Sequence, residues 1–189
     1  MKRGRQKHTN GKKQVTEMLI LKMLSPILLS IFLSPLWPLG PNPVPGDPFL
    51  IVNKKTNEMA FVENNRVQTV VSVGTGKTKK LTPEGLFTVT VKAKDPYYRK
   101  KNIPGGSPAN PLGARWIGFD AKGTDGRSYG IHGTNQPVSI GKYVSKGCIR
   151  TQNEVIKSLY PLIPLGTKVL VLSSKKSFHT LAKEYNAIQ

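Results

Sequence analysis

The chain has 189 residues and is 38% hydrophobic, which leaves room for one compact domain with appendages and too little apolar sequence for a polytopic membrane protein. It carries 29 lysines and arginines against 10 acids, a formal charge of +19; residues 1–22 take only seven of those cations, so the main domain is itself basic and suited to polyanions. One cysteine excludes an intramolecular disulfide, and with three histidines and scattered acids it excludes an ordinary closed zinc site, so neither metal nor cofactor is expected.

Residues 1–17 form a basic, polar leader, and 18–39 are almost wholly apolar, interrupted only by Lys22. The unbroken part, 23–39, is at the lower edge of what spans a bilayer as a helix. A basic flank before such a run predicts a signal anchor or signal peptide with its basic end held in the cytoplasm. No small residues stand in cleavage-site spacing at the exit, and Trp37 suits a membrane interface, so an uncleaved single-pass anchor is preferred to a cleaved signal. Pro26 and Pro35 speak against a buried soluble helix. Residues 40–48, rich in proline and glycine, predict a stiff extended linker, with all that follows outside the membrane.

Residues 49–172 read mostly as strand. Strands are predicted at 49–52, 58–63, 66–73, 86–93, 115–119, 128–132 and 168–172, with Asn64-Asn65 as a tight hairpin turn. Residues 94–113 are a long proline- and glycine-rich loop, a candidate lid. The one clear helix spans 153–162, with Thr151 or Asn153 as its N-cap. The sum is a mainly β fold, a small sandwich or barrel-like domain with one short helix. The run Gly74-Thr75-Gly76-Lys77-Thr78 invites a phosphate-loop reading, but Val71 stands where that motif needs glycine, and a solvated flexible loop is expected instead. The basic tail, 173–189, has no assigned role.

The segment Ser145-Lys146-Gly147-Cys148-Ile149-Arg150 holds the lone thiol. By residue type alone such a cysteine is a small buried side chain. Its neighbours point to chemistry. Gly147 lets backbone approach a ligand, while Lys146, Arg150 and the nearby helix N-terminus favour thiolate. His132 lies a turn-rich loop upstream; His8 falls in the leader and His179 in the tail, so His132 is the candidate base. Arg150 suits a fork for a substrate carboxylate, and Ser145 and Lys146 join it as candidate substrate contacts.

Together, His132 followed by Ser145-Lys146-Gly147-Cys148-Ile149-Arg150, with Thr82-Pro83-Glu84-Gly85-Leu86-Phe87, Asn110-Pro111-Leu112-Gly113-Ala114-Arg115 and Gly166-Thr167-Lys168-Val169, resemble the L,D-transpeptidase catalytic domain of the YkuD type over about residues 47–172. Lysine stands at 146 where many members have histidine, and Thr151 where methionine is frequent. The resemblance implies acyl transfer on peptidoglycan stem peptides. Cys148 forms a thioester as D-Ala leaves, His132 moves the protons, and a neighbouring amine takes the acyl group to give a 3→3 cross-link. It implies the Gly133 carbonyl as orienter of the imidazole and the Gly147 and Cys148 N–H groups as an oxyanion hole. Water as acceptor would make the chain an L,D-carboxypeptidase, and a non-catalytic wall-binding module is a third reading. Anionic wall polymers and the membrane are possible partners; nucleic acid is not, and a monomer is expected.

Overall fold

The computed structural model describes residues 42–189, so the predicted leader and apolar segment lie outside the described residues. Among the described residues, no helix is long and apolar enough to cross a membrane.

The strands are β1 (Phe49–Asn53), β2 (Glu58–Glu63), β3 (Arg66–Ser72), β4 (Thr75–Gly76), β5 (Gly85–Lys94), β6 (Arg115–Phe119), β7 (Tyr129–His132), β8 (Tyr143–Ser145), β9 (Ile149–Arg150) and β10 (Lys168–Leu172), with helices α1 (Asn153–Leu159) and α2 (Phe178–Glu184). Eight strands form one sheet in the order β3-β2-β1-β10-β5-β6-β7-β9, and β4 pairs with β8. The pairs β1–β10 and β7–β9 are parallel. Where a hairpin was predicted, Asn64 and Asn65 take φ of 51° and 65°, the left-handed pair a tight β2–β3 turn requires.

The sheet curls until its two edges meet. Immediately after β3, at one edge, Gly74 exchanges two 2.8 Å backbone hydrogen bonds with Arg150 of β9, at the other. Closure of this kind satisfies edge groups that would otherwise stay open. It also overturns the solvated-loop expectation for part of 74–78. Gly74, Thr75 and Gly76 are buried, and only from Lys77 does the chain emerge. Thr75 is held by its hydroxyl to Asn57 Oδ1 at 2.5 Å, and the Gly76 N–H by Thr82 Oγ1 at 2.9 Å. Turn-rich sequence here serves seam pairing.

The interior of the curl is filled by Leu50, Val52, Phe61, Val89, Ile117, Phe119, Ile131, Ile149, Val169 and Val171, capped by Ile156 and Leu159 of α1. β1 is buried along its whole length, which is why it reads as a continuous apolar run. Its outward residues Phe49 and Ile51, with Val62 and Leu170, are covered by Leu181, Ala182, Ala187 and Ile188. The tail is therefore part of the domain. Its helix α2 is a second helix, begun by Ser177, whose side chain accepts from the Thr180 N–H at 3.1 Å.

Two further expectations are corrected. Residues 42–48 are not a free extended spacer. They turn at Val44–Asp47 and dock, with the Asn42 side chain donating to the Gly166 carbonyl at 3.1 Å and the Gly46 N–H to Ala187 at 3.2 Å. Helix α1 is capped by Gln152 without a side-chain bond, and from Tyr160 it tightens into a 3₁₀ turn ending at Leu162.

Candidate active site

Parallel pairing of β7 with β9 builds the site. Ile131 lies beside Ile149, and His132 beside Arg150. Both isoleucines point into the core, so strand alternation turns Gly130, His132, Cys148 and Arg150 to the other face. The base and the thiol thus share one face, offset by two residues along adjacent strands.

His132 is buried, 4% exposed, with its ring stacked on Trp116 at a centroid distance of 5.5 Å. Nδ1 bonds to the Gly133 carbonyl at 2.5 Å. A carbonyl only accepts, so in the neutral ring Nδ1 carries the proton and Nε2 is the nitrogen with basic character. Burial pushes the imidazole pKa down to about 4, the Arg150 charge pushes the same way, and the Gly133 and Leu112 carbonyls pull against both. At neutral pH the ring is an uncharged base.

Cys148 is half-buried and free. Its sulfhydryl donates to the Ser128 carbonyl at 3.6 Å rather than to His132. Burial raises the thiol pKa; the Gly130 backbone and the charges of Lys100 and Arg150 pull it down without reversing the shift. The expected thiolate-favouring field is therefore outweighed by desolvation. Lys146, exposed, is not among the groups that lower it; Lys100, on the long loop, is. The resting pair is a neutral thiol and a neutral imidazole.

The turn that presents the thiol is held by Ser145. Its hydroxyl accepts from the Gly147 N–H at 3.0 Å and donates to the Cys148 carbonyl at 2.6 Å. Ser145 is 2% exposed, so it is a brace and not a substrate contact. The same bond removes the Gly147 N–H from any oxyanion hole and leaves that of Cys148. Gly147 has φ of 133°, and a Cβ there would lie 2.6 Å from the Leu81 carbonyl; backbone packs where a side chain would be. Arg150 is partly exposed, with Nη1 at 3.4 Å from Gln136 Oε1.

Asn153, expected as a helix cap, does something else. Its Oδ1 accepts from the Ala114 N–H and its Nδ2 donates to the Thr134 carbonyl, each at 3.0 Å. It ties α1 to the loop carrying Gly133 and to the end of the long loop. A Cβ on Gly133 would sit 2.1 Å from that Oδ1. Nothing local in the sequence marks Asn153, because its partners are 39 and 19 residues away. The stacking role of Trp116 was missed for the same reason.

The L,D-transpeptidase catalytic domain model matches residues 47–171. YqjB of Bacillus subtilis, classed among the L,D-transpeptidases, is 63% identical over 163 residues, which cover 85% of this chain and 93% of the relative. The chain belongs to the L,D-transpeptidase catalytic domain family. Among solved structures, a crystal structure of the Enterococcus faecium L,D-transpeptidase shares the fold with a TM-score of 0.53 at 26% identity, covering 68% of this chain and 50% of that one. The catalytic domain of the E. faecium enzyme, acylated by ertapenem, aligns with a TM-score of 0.51 at 28% identity, over 67% of this chain and 98% of that one.

In this L,D-transpeptidase domain the outlying segments that carried the resemblance brace the site. Lys54, buried at 6% exposure, donates to the Lys79 and Thr82 carbonyls at 2.7 and 2.6 Å and holds the loop that backs Gly147. Asn110, 1% exposed, donates to the Pro96 and Pro104 carbonyls at 2.8 and 3.1 Å and orders the long loop, whose ends are tied by Asp95 N–H to Ala114 at 2.9 Å. Among the described residues no cluster of His, Cys, Asp or Glu side chains could hold a metal ion.

Proposed function

We propose that this domain transfers acyl groups between peptidoglycan stem peptides through a Cys148 thioester. As Cys148 Sγ attacks the carbonyl before the terminal D-Ala, Nε2 of His132 takes the thiol proton. The C–N bond then breaks, and the imidazolium gives that proton to the departing amine. The amine of a second stem attacks the thioester, its proton passes to His132, and the thiolate is released as a 3→3 cross-link forms. The Cys148 N–H stabilises the oxyanion, and Arg150 binds a stem carboxylate. Because burial disfavours both charged forms, the ion pair forms only as the carbonyl is attacked.

The observation that carries this reading is the neutral imidazole, locked by Nδ1 on Gly133, sharing one sheet face with the chain's single thiol. The acylation of the E. faecium relative supports it. We read the basic leader and residues 18–39 as the anchor that keeps the domain on the outer side of the membrane. The test is incubation with tetrapeptide stems and mass analysis of the products. Wild type is expected to yield 3→3 dimers with loss of D-Ala, and Cys148→Ala to yield none. Dimers formed at an undiminished rate by Cys148→Ala would overturn the mechanism, and free tripeptide without dimer would identify water as the acceptor.

A further inference from the structure

Exposed lysines without acidic partners stand on four separate stretches of chain that adjoin the site. Lys77, Lys79 and Lys80 are exposed on the loop whose Leu81 carbonyl backs Gly147, and the Lys77 N–H itself bonds to Ser145 at 3.0 Å. Lys142 and Lys146 are exposed on either side of β8, which leads into the cysteine turn. Lys122 reaches over Tyr129, its Nζ 6.0 Å from the ring centre, and that ring faces Gly147. From the long loop come Lys100, whose charge acts on the thiol, and its exposed neighbours Arg99 and Lys101.

None of these cations has an acidic partner among the described residues, whereas the acids of the adjoining segments are engaged: Glu84 with Lys54 at 3.1 Å, Asp125 with Arg127 at 2.9 Å and Asp95 with Arg115 at 3.6 Å. A surface meant only to stay soluble would intersperse the two signs. Here the loop that backs the cysteine turn, the strand that leads into it and the long loop carry one sign, and summed positive charge of this kind attracts polyanions over a Debye length of roughly 8–10 Å.

We propose that these cations dock the domain on a phosphodiester-linked polyanion attached to the wall, beside the stem peptides it acts on. The proposal rests on the wall substrate inferred above. All of them except Arg99 are lysine. Flexible ammonium groups act as mobile point charges, which suits the repeating, permanently ionised charges of a phosphodiester chain, whereas Arg150 beside the reaction centre offers a fixed fork for a single anion. Binding of this kind releases counterions and weakens steeply with salt.

The full chain is sedimented with wall fragments that keep their phosphodiester polymer, with fragments chemically stripped of it, and with phosphatidylglycerol vesicles, each over a range of NaCl concentrations. Retention is expected on the unstripped wall, falling roughly 10- to 100-fold as salt rises fourfold, and weak binding to the stripped wall. The triple variant Lys80→Glu/Lys101→Glu/Lys142→Glu is expected to lose at least tenfold in retention, with its thermal unfolding and the final extent of Cys148 labelling by saturating ertapenem unchanged. Equal binding to stripped and unstripped wall, salt-insensitive retention, full retention by the triple variant, or preference for vesicles would each overturn the docking surface. Failure of wild-type Cys148 to label, with salt-sensitive retention intact, would count against the acyl-transfer reading and leave docking standing.

Discussion

The two flanks of the sheet are built by different physics. On the β7–β9 side, order comes from directional polar bonds: Ser145 across the cysteine turn, Asn153 between three segments, Gly133 on the imidazole. On the β1–β2 side it comes from apolar burial, with Leu181, Ala187 and Ile188 laid on Phe49, Ile51 and Val62. Directional bonds hold atoms to within tenths of an ångström and tolerate little change. Apolar burial supplies free energy with little demand on direction. The first flank is suited to chemistry and the second to stability, and substitutions should sort accordingly.

The largest effect is expected on the polar flank. His132→Ala should lower the rate of Cys148 acylation by roughly 100- to 10,000-fold, the contribution of a positioned general base. An unchanged rate in stopped-flow acylation would remove His132 from the mechanism. On the apolar flank, Leu181→Ala should cost about 3 kcal/mol of unfolding free energy in a denaturant titration, since the side chain is 2% exposed. Its acylation rate well below the transition should stay within about twofold of wild type. A large rate loss would show that the flanks are coupled.

Acid should also act through the polar flank. Between the ordinary value of 6.5 and about 4, the unfolded chain takes up a proton at His132 that the folded chain refuses. Stability contributed by the neutral ring is therefore complete above that window and lost as pH falls through it, by about 3 kcal/mol at most. Chemical denaturation of wild type and His132→Gln at several pH values checks this; the same slope in both would assign it to other groups. The smallest effect is Ser145→Ala, which strips the Gly147 N–H of its acceptor and should cost about 1–2 kcal/mol. Acylation should slow together with that loss. A variant that loses stability and keeps its full rate would show that the turn holds the thiol without Ser145.

Strand runs were legible wherever alternation or continuous apolar sequence reported burial, as in β1, β2, β5 and β6. The short strands β4, β8 and β9 were not, because two or three residues cannot display a period and their pairing depends on the meeting of distant edges. The tail was misjudged for a related reason. Leu181, Ala182, Ala187 and Ile188 look sparse among polar residues until the outer faces of Phe49 and Ile51 are seen to need cover. In the site, residue types were readable and their states were not. Lysine and arginine near a cysteine suggested a thiolate, whereas the depth of the fold made it a thiol.

By itself, the sequence determined the strand-rich frame, the single nucleophile, its one candidate base and the excess of positive charge, since these follow from composition, periodicity and residue chemistry along the chain. The tertiary structure alone decided that β3 and β9 close on each other, that His132 and Cys148 share a face in uncharged form, that Ser145 consumes the Gly147 N–H, and that lysine-bearing stretches far apart in the chain adjoin the site. Each of these depends on groups far apart in the chain, brought close by sheet curvature and on the protonation side governed by desolvation, and neither distance in space nor burial is written in local residue order.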